Sequence, residues 1–177
     1  MTFANQLTIA RLVAVVPVMA ALYIQFPYNR TVAVTLYVGA ILTDYLDGVL
    51  ARRSGKVTNF GKLMDSIADK AIIVSLFFAL VGMGLMPSWM AAIMVVREFA
   101  VTGLRMVALE SGLVIAANRW GKAKMVSQSL AILLLLLELE TVGLWAMAVA
   151  TVLTLISGWS YLKDAPRILS AAAGGQR

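Results

Sequence analysis

Of the nine acidic residues in this 177-residue chain, four (Asp44, Asp47, Asp65 and Asp69) fall within or beside long apolar segments. A charge inside a membrane helix is expensive and marks function more often than structure. Residues three and four apart share one face of a helix. Asp44, Asp47, Gly48 and Ala51 therefore form one stripe, and Gly61, Asp65 and Asp69 form a second. Each stripe combines two carboxylates with small residues, which let backbones approach or leave room for a ligand. Two such stripes facing one another would gather four carboxylates in a single cavity. Four clustered carboxylates cannot all stay ionised without cations. The basic residues closest to the stripes are Arg52, beside Ala51, and Lys70, beside Asp69. One or two divalent metals answer the charge, and a pair about 3.5–4 Å apart is a common arrangement for phosphoryl chemistry. Asp69, at the inner end of its stripe, is the candidate general base for an attacking hydroxyl. The plainer alternative makes the four aspartates interfacial caps or ion-paired carboxylates.

Composition narrows the chemistry further. The chain has no His and no Cys. That excludes imidazole bases, thiol nucleophiles, disulfides, thiolate zinc sites and iron–sulfur clusters. Protein metal ligands must be mainly oxygen, which suits hard cations such as Mg²⁺ or Mn²⁺. A second constellation is basic: Arg105, Arg119, Lys122 and Lys124 flank a single turn, and Arg97-Glu98 sits deeper in the preceding apolar segment. Arg97 is too deep to be a loop charge and is expected to pair with Glu98 or another carboxylate, or to meet a substrate. Arg119 and Lys122, three apart, can converge on one anion. Arg105, Arg119 and Lys122 read as a phosphate site that complements a metal-bound phosphoryl donor. For Lys124 and Arg53, membrane topology is an equal explanation.

These groups must be held by apolar helices. The chain is 61% hydrophobic and 14% charged, with a mean hydropathy of +0.87, far from the composition of a soluble globule. Apolar stretches at 12–26, 31–42, 71–96, 125–137 and 141–162 are candidate spans. The third is too long for one helix and is punctuated by Gly82, Gly84 and Pro87. Splitting it there predicts one helix beginning near Phe60 and another from Pro87 to about Leu109. The expectation is an all-α integral membrane protein, a single domain over 1–177, with six transmembrane helices and a cytoplasm-facing polar cavity. No small-x-small cleavage site follows the first span, which reads as retained rather than as a signal peptide. Lys and Arg concentrate at 52–62, at 105–124 and in the tail, whereas Arg30, Glu138 and Glu140 mark the other side. Both termini are therefore expected in the cytoplasm. The net charge of +6 reads as attraction to the anionic leaflet rather than to nucleic acid. No internal repeat is visible.

The run Asp44-x2-Asp47-Gly48-x2-Ala51-Arg52-x8-Gly61-x3-Asp65-x3-Asp69 resembles the signature of the CDP-alcohol phosphatidyltransferase family at all eight fixed positions. The resemblance implies transfer of a phosphatidyl group from CDP-diacylglycerol to an alcohol with release of CMP. It implies that Asp44, Asp47, Asp65 and Asp69 bind metal, Mg²⁺ or Mn²⁺ and two ions per site, with Asp69 as base. Gly48, Ala51, Arg52 and Gly61 match positions at the cytidine diphosphate, and Asn5-x2-Thr8-x2-Arg11 resembles a further nucleotide segment. The Arg97-Glu98, Leu104-Arg105 and Gly121-Lys122-x-Lys124 elements resemble those of members that use glycerol 3-phosphate, with Met125 where relatives often carry Thr. Arg105, Arg119 and Lys122 then take the acceptor phosphate. The resemblance also implies a homodimer, and the compact chain suits a bacterial inner membrane.

Two readings compete. The acceptor could be inositol phosphate, phosphatidylglycerol or serine, because the aspartate signature reads donor and chemistry only. A small cation transporter could also line its path with carboxylates. The uninterrupted aspartate segments, the absent repeat and the adjoining phosphate-type cluster argue against it.

Overall fold

A computed structural model describes the backbone of residues 3–54, 59–110 and 119–174, and the side chains of 12–43, 70–109, 119–163, 165–166 and 170. Among the described residues there are six helices and no strand. They are α1 (Phe3–Tyr23), α2 (Asn29–Ser54), α3 (Asn59–Gly82), α4 (Ser88–Glu110), α5 (Arg119–Leu136) and α6 (Glu140–Gly174). Each candidate span lies on its own helix, and the apolar run 71–96 divides at Gly82–Pro87 as expected. Contacts group the chain into two compact units, Met1–Leu85 with Leu133–Glu140, and Met86–Ile132 with Thr141–Arg177.

In the first unit α1 packs against both α2 and α3. Tyr37 of α2 and Leu76, Phe77 and Leu80 of α3 are fully buried, as are Leu135 and Leu136. The turns are set by backbone chemistry. Asn29 N–H donates to the Phe26 carbonyl at 3.1 Å across Pro27 and Tyr28, and Tyr28 has φ 65°. Proline second and a left-handed residue third are the marks of a type II turn. At the end of α3, Leu85 N–H reaches back to Leu80 O at 2.9 Å and Gly84 N–H to Val81 O at 3.0 Å, with Gly84 at φ 75°. This is a Schellman motif with glycine in its left-handed position.

Helix α5 ends in the same pair of bonds, Leu139 N–H to Leu134 O at 3.0 Å and Glu138 N–H to Leu135 O at 3.1 Å. Here the left-handed residue is Glu138, at φ 64°. Its carboxylate meets Arg30 at 3.1 Å, so a side chain that glycine lacks joins the start of α2 to the end of α5.

The second unit is built on a methionine-rich core, with Met94, Ile132 and Met147 fully buried. Among the described residues one stretch, Glu140–Lys163, is long and apolar enough to cross a membrane, with a mean hydropathy of 1.7 over its best window; Leu12–Tyr23 and Lys70–Gly82 are shorter apolar stretches. The two faces of α6 differ in an instructive way. Its buried face carries Thr151, Thr154 and Ser157, whereas its exposed face carries Val149, Val152, Leu155 and Leu162. The threonine hydroxyls donate to the carbonyls one turn back, Thr151 to Met147 at 2.8 Å and Thr154 to Ala150 at 2.7 Å. Polar groups within an apolar helix are satisfied by that helix itself.

Glu138→Ala keeps the left-handed backbone with its cost of about 1 kcal/mol and loses the Arg30 contact, a half-exposed pair worth at most about 1 kcal/mol. Glu138→Gly loses the same contact and relieves the backbone. The thermal midpoint in detergent is therefore expected to rank glycine level with wild type and alanine below both; alanine at or above glycine contradicts this account.

Candidate functional site

The first site is a matter of helical register. Asp44, Asp47, Gly48, Ala51 and Arg52 lie in the second half of α2, and Gly61, Asp65 and Asp69 in the first half of α3. In sequence these halves adjoin, separated by residues 55–58. On α2, Asp44 and Asp47 stand at i and i+3; on α3, Asp65 and Asp69 stand at i and i+4. The two aspartate stripes are helical, as expected. The side chains of all these residues lie outside the described residues, as do those of Asn5, Thr8, Arg11 and Arg53.

The fit to a divalent cation is tested by the chemistry of the donors. Four carboxylates, with no imidazole or thiolate anywhere in the chain, make a hard oxygen set suited to Mg²⁺ or Mn²⁺. Among the described residues no group of three or more His, Cys, Asp or Glu comes together.

The basic constellation is described in side-chain detail, and it divides in two. Arg105 on α4 and Arg119 and Lys122 on the first turn of α5 are exposed. Lys124 is buried, 5% exposed, and its ammonium is paired with the carboxylate of Glu98 on α4. Two residues on a helix turn through about 200°, so Lys122 and Lys124 point to opposite sides of α5. Lys124 therefore stands apart from the exposed cations.

Arg97 makes the expected contact with Glu98, its Nη1 lying 3.4 Å from Oε1, the same oxygen that Lys124 holds. Its Nη2 donates to the Ser157 hydroxyl on α6, and its guanidinium lies 5.7 Å from the centre of the Tyr161 ring, within cation–π range. One carboxylate thus carries two cations and ties α4 to α5, while Arg97 ties α4 to α6. Gly158 leaves room for this: a Cβ there would stand 3.1 Å from Arg97 Cγ. Beside the network an apolar groove of about 730 Å³ runs between α4 and α6, polar only at Arg97, Thr154 and Tyr161. The Lys124 pairing and the roles of Ser157, Gly158 and Tyr161 were not read from the sequence. A Ser-Gly pair followed by Tyr within an otherwise uncharged span was the available signal.

Comparison with known proteins places these features in context. A family model described as CDP-alcohol phosphatidyltransferase matches residues 1–156. The chain is 39% identical to a Bacillus subtilis protein named CDP-diacylglycerol–glycerol-3-phosphate 3-phosphatidyltransferase, over 89% of this chain and 91% of that one. It is 33% identical to a protein of the same name from Rickettsia bellii, over 90% and 92%.

Gly158→Ala is expected to lower thermal stability by about 1–2 kcal/mol, because the Arg97 head is held at Ser157, Glu98 and Tyr161 and its stem cannot yield. Gly103→Ala, whose Cβ would meet nothing within 4 Å, is expected to raise stability by about 0.5–1 kcal/mol through helix propensity. Unfolding midpoints in detergent that move in the same direction for both would contradict the proposed packing of Arg97.

Proposed function

Because the chain belongs to the CDP-alcohol phosphatidyltransferase family, we propose that it transfers the phosphatidyl group of CDP-diacylglycerol to glycerol 3-phosphate, giving phosphatidylglycerophosphate and CMP. The observation that carries this reading is the eight-position aspartate signature on two successive helices, in a chain 39% identical over most of its length to a 3-phosphatidyltransferase of that name.

The residues divide the work. Arg52 counters the pyrophosphate of the donor, and the small side chains of Gly48, Ala51 and Gly61 leave space for the nucleotide, with Asn5 and Thr8 supplying hydrogen bonds to it. Arg105, Arg119 and Lys122 hold the phosphate of the acceptor, so that its free primary hydroxyl is presented to the donor. The Asp69 carboxylate takes the proton from that hydroxyl. The oxygen then bonds to the β-phosphorus in line, the bond from that phosphorus to the CMP oxygen breaks, and CMP leaves with the electron pair. Direct transfer suits a chain with neither thiol nor imidazole, and positioning with charge neutralisation supplies most of the acceleration. Asp44, Asp47, Asp65 and Asp69 would hold one or two Mg²⁺ or Mn²⁺ ions, which when bound neutralise the pyrophosphate and polarise its oxygens.

The same reading makes the chain a single multi-pass domain of a bacterial inner membrane. Six helices span, both termini are cytoplasmic, a polar cavity opens to the cytoplasm, and two copies form a homodimer as the family resemblance implies. Several features support the membrane placement. The exposed side of α6 is more apolar than its buried side, the reverse of a soluble protein. Trp145 and Trp159, both exposed, stand 14 residues apart on α6, about 21 Å along its axis, a spacing suited to the two interfacial belts. Lys163 lies 5.9 Å from the Trp159 ring, at the end read as cytoplasmic, while the Arg30 charge at the other end is met by Glu138.

The decisive assay is CMP release by purified protein with CDP-diacylglycerol and Mg²⁺, supplying glycerol 3-phosphate, inositol phosphate, serine or phosphatidylglycerol separately. Release is expected with glycerol 3-phosphate alone, lost on chelation and restored by Mg²⁺ or Mn²⁺. Release with a different acceptor would overturn the substrate, and release with none would overturn the function. Asp69→Asn is expected to lower turnover about a hundredfold or more while the protein still binds CDP-diacylglycerol; undiminished turnover removes Asp69 as the base.

A further inference from the structure

We propose that Glu98 is a positioning residue for the acceptor site, acting through Lys124 to set the register and rotation of α5 against α4. The inference rests on the reading of Arg105, Arg119 and Lys122 as the acceptor phosphate site, and it adds residues that touch no substrate.

The geometry is specific. Glu98, Arg97 and Lys124 are all largely buried, with side chains 12%, 13% and 6% exposed. Glu98 Oε1 is shared by Lys124 of α5 and Arg97 of α4. In an apolar interior, a charge parted from its counter-charge is costly, so the Lys124 head is drawn to the place where Glu98 stands. That attraction has two consequences. Glu98 and Arg105 are seven residues apart on α4, nearly on one face and about 10.5 Å apart along the axis. Lys124 lies two residues beyond Lys122 and five beyond Arg119 on α5. Fixing Lys124 at Glu98 therefore fixes the axial distance between Arg105 and the two cations of α5. It also fixes rotation: with Lys124 turned toward α4, Lys122 is turned outward. The exposed state of Lys122 and the buried state of Lys124 are two sides of one constraint. The pull of Arg97 toward Ser157 and Tyr161 holds α6 to the same point on α4.

The test separates positioning from direct contact. Glu98→Gln takes from two buried cations the negative charge they share, and Lys124 is expected to loosen from Glu98 and let α5 turn. KM for glycerol 3-phosphate should rise about tenfold or more, as small misplacements of binding groups do, with KM for CDP-diacylglycerol and kcat little changed. Lys124→Met removes the same tie from the other side and should raise KM for glycerol 3-phosphate to a similar extent, and Glu98→Gln/Lys124→Met should be no worse than the more affected single variant, because all three lose one tie. Glu98→Asp, which keeps the charge on a shorter stem, should fall between. If the two single effects on KM add in the double variant, or if Lys124→Met raises KM and Glu98→Gln does not, Lys124 acts on the acceptor independently of Glu98 and the proposal fails. A readout independent of turnover uses the absence of native cysteine: nitroxides at Met106→Cys and Val126→Cys, both exposed, report the distance between α4 and α5. The distribution should be narrow in the wild-type background and shifted or broadened by Glu98→Gln, by Lys124→Met and by the double variant alike. An unchanged distribution with Glu98→Gln overturns the proposal whatever happens to activity. Wild-type protein that releases no CMP with glycerol 3-phosphate sinks the acceptor reading instead, and the label distances still decide whether the pin exists.

Discussion

A charge held within apolar helices must find its counter-charge on the spot, because no water is there to replace it. The second unit depends on this constraint. Glu98 is a single carboxylate serving two cations from two helices, and one of those cations, Arg97, reaches onward to a hydroxyl and an aromatic ring on a third. Removing either cation leaves the carboxylate partly satisfied. Removing the carboxylate takes the shared counter-charge from both cations. The network is therefore asymmetric, and its weak point is its only anion among the described residues. Packing alone could not specify the register of α4 on α5 so narrowly, because apolar side chains such as methionine tolerate sliding and repacking.

The same demand for local satisfaction shapes the uncharged parts. Buried hydroxyls on α6 return to their own helix, so polar atoms can line an inner face without a partner helix. The ends of α3 and α5 close their last carbonyls by identical Schellman bonds, one with glycine and one with glutamate in the left-handed position. Glutamate is the strained choice, and its presence follows from a second task, contact with Arg30 in the same unit. Backbone economy gives way there to an ion pair.

The catalytic reading places a different load on α2 and α3. Their aspartates gain meaning from spacing, since i, i+3 and i, i+4 positions collect carboxylates along one edge of a helix whatever surrounds them. A set of hard oxygen donors is competent to bind divalent cations, and a chain lacking imidazole and thiol has few other routes to a general base. Charge organises the second unit through a shared carboxylate, while α2 and α3 carry their four aspartates at helical spacing.

Much of the molecule could be read before any coordinates. Hydropathy located the six helices, and the break between α3 and α4 was visible because Gly84 and Pro87 cannot continue a helix without cost. The aspartate signature was legible because helical periodicity is a local property. Arg97 could be recognised as needing a partner, since its depth in an apolar run excluded a loop. The fate of Lys124 could not be read in this way: Lys122 and Lys124 are the same residue type two positions apart, and only the direction of the neighbouring helix decides which is buried. The sequence by itself determined the helices, the chemistry of their polar residues and the spacing of the aspartates, all consequences of short-range geometry. Tertiary structure alone decided that Glu98 holds Lys124, that Gly158 makes room for Arg97 and that Glu138 meets Arg30, because each depends on where a second helix lies, and no local periodicity encodes that.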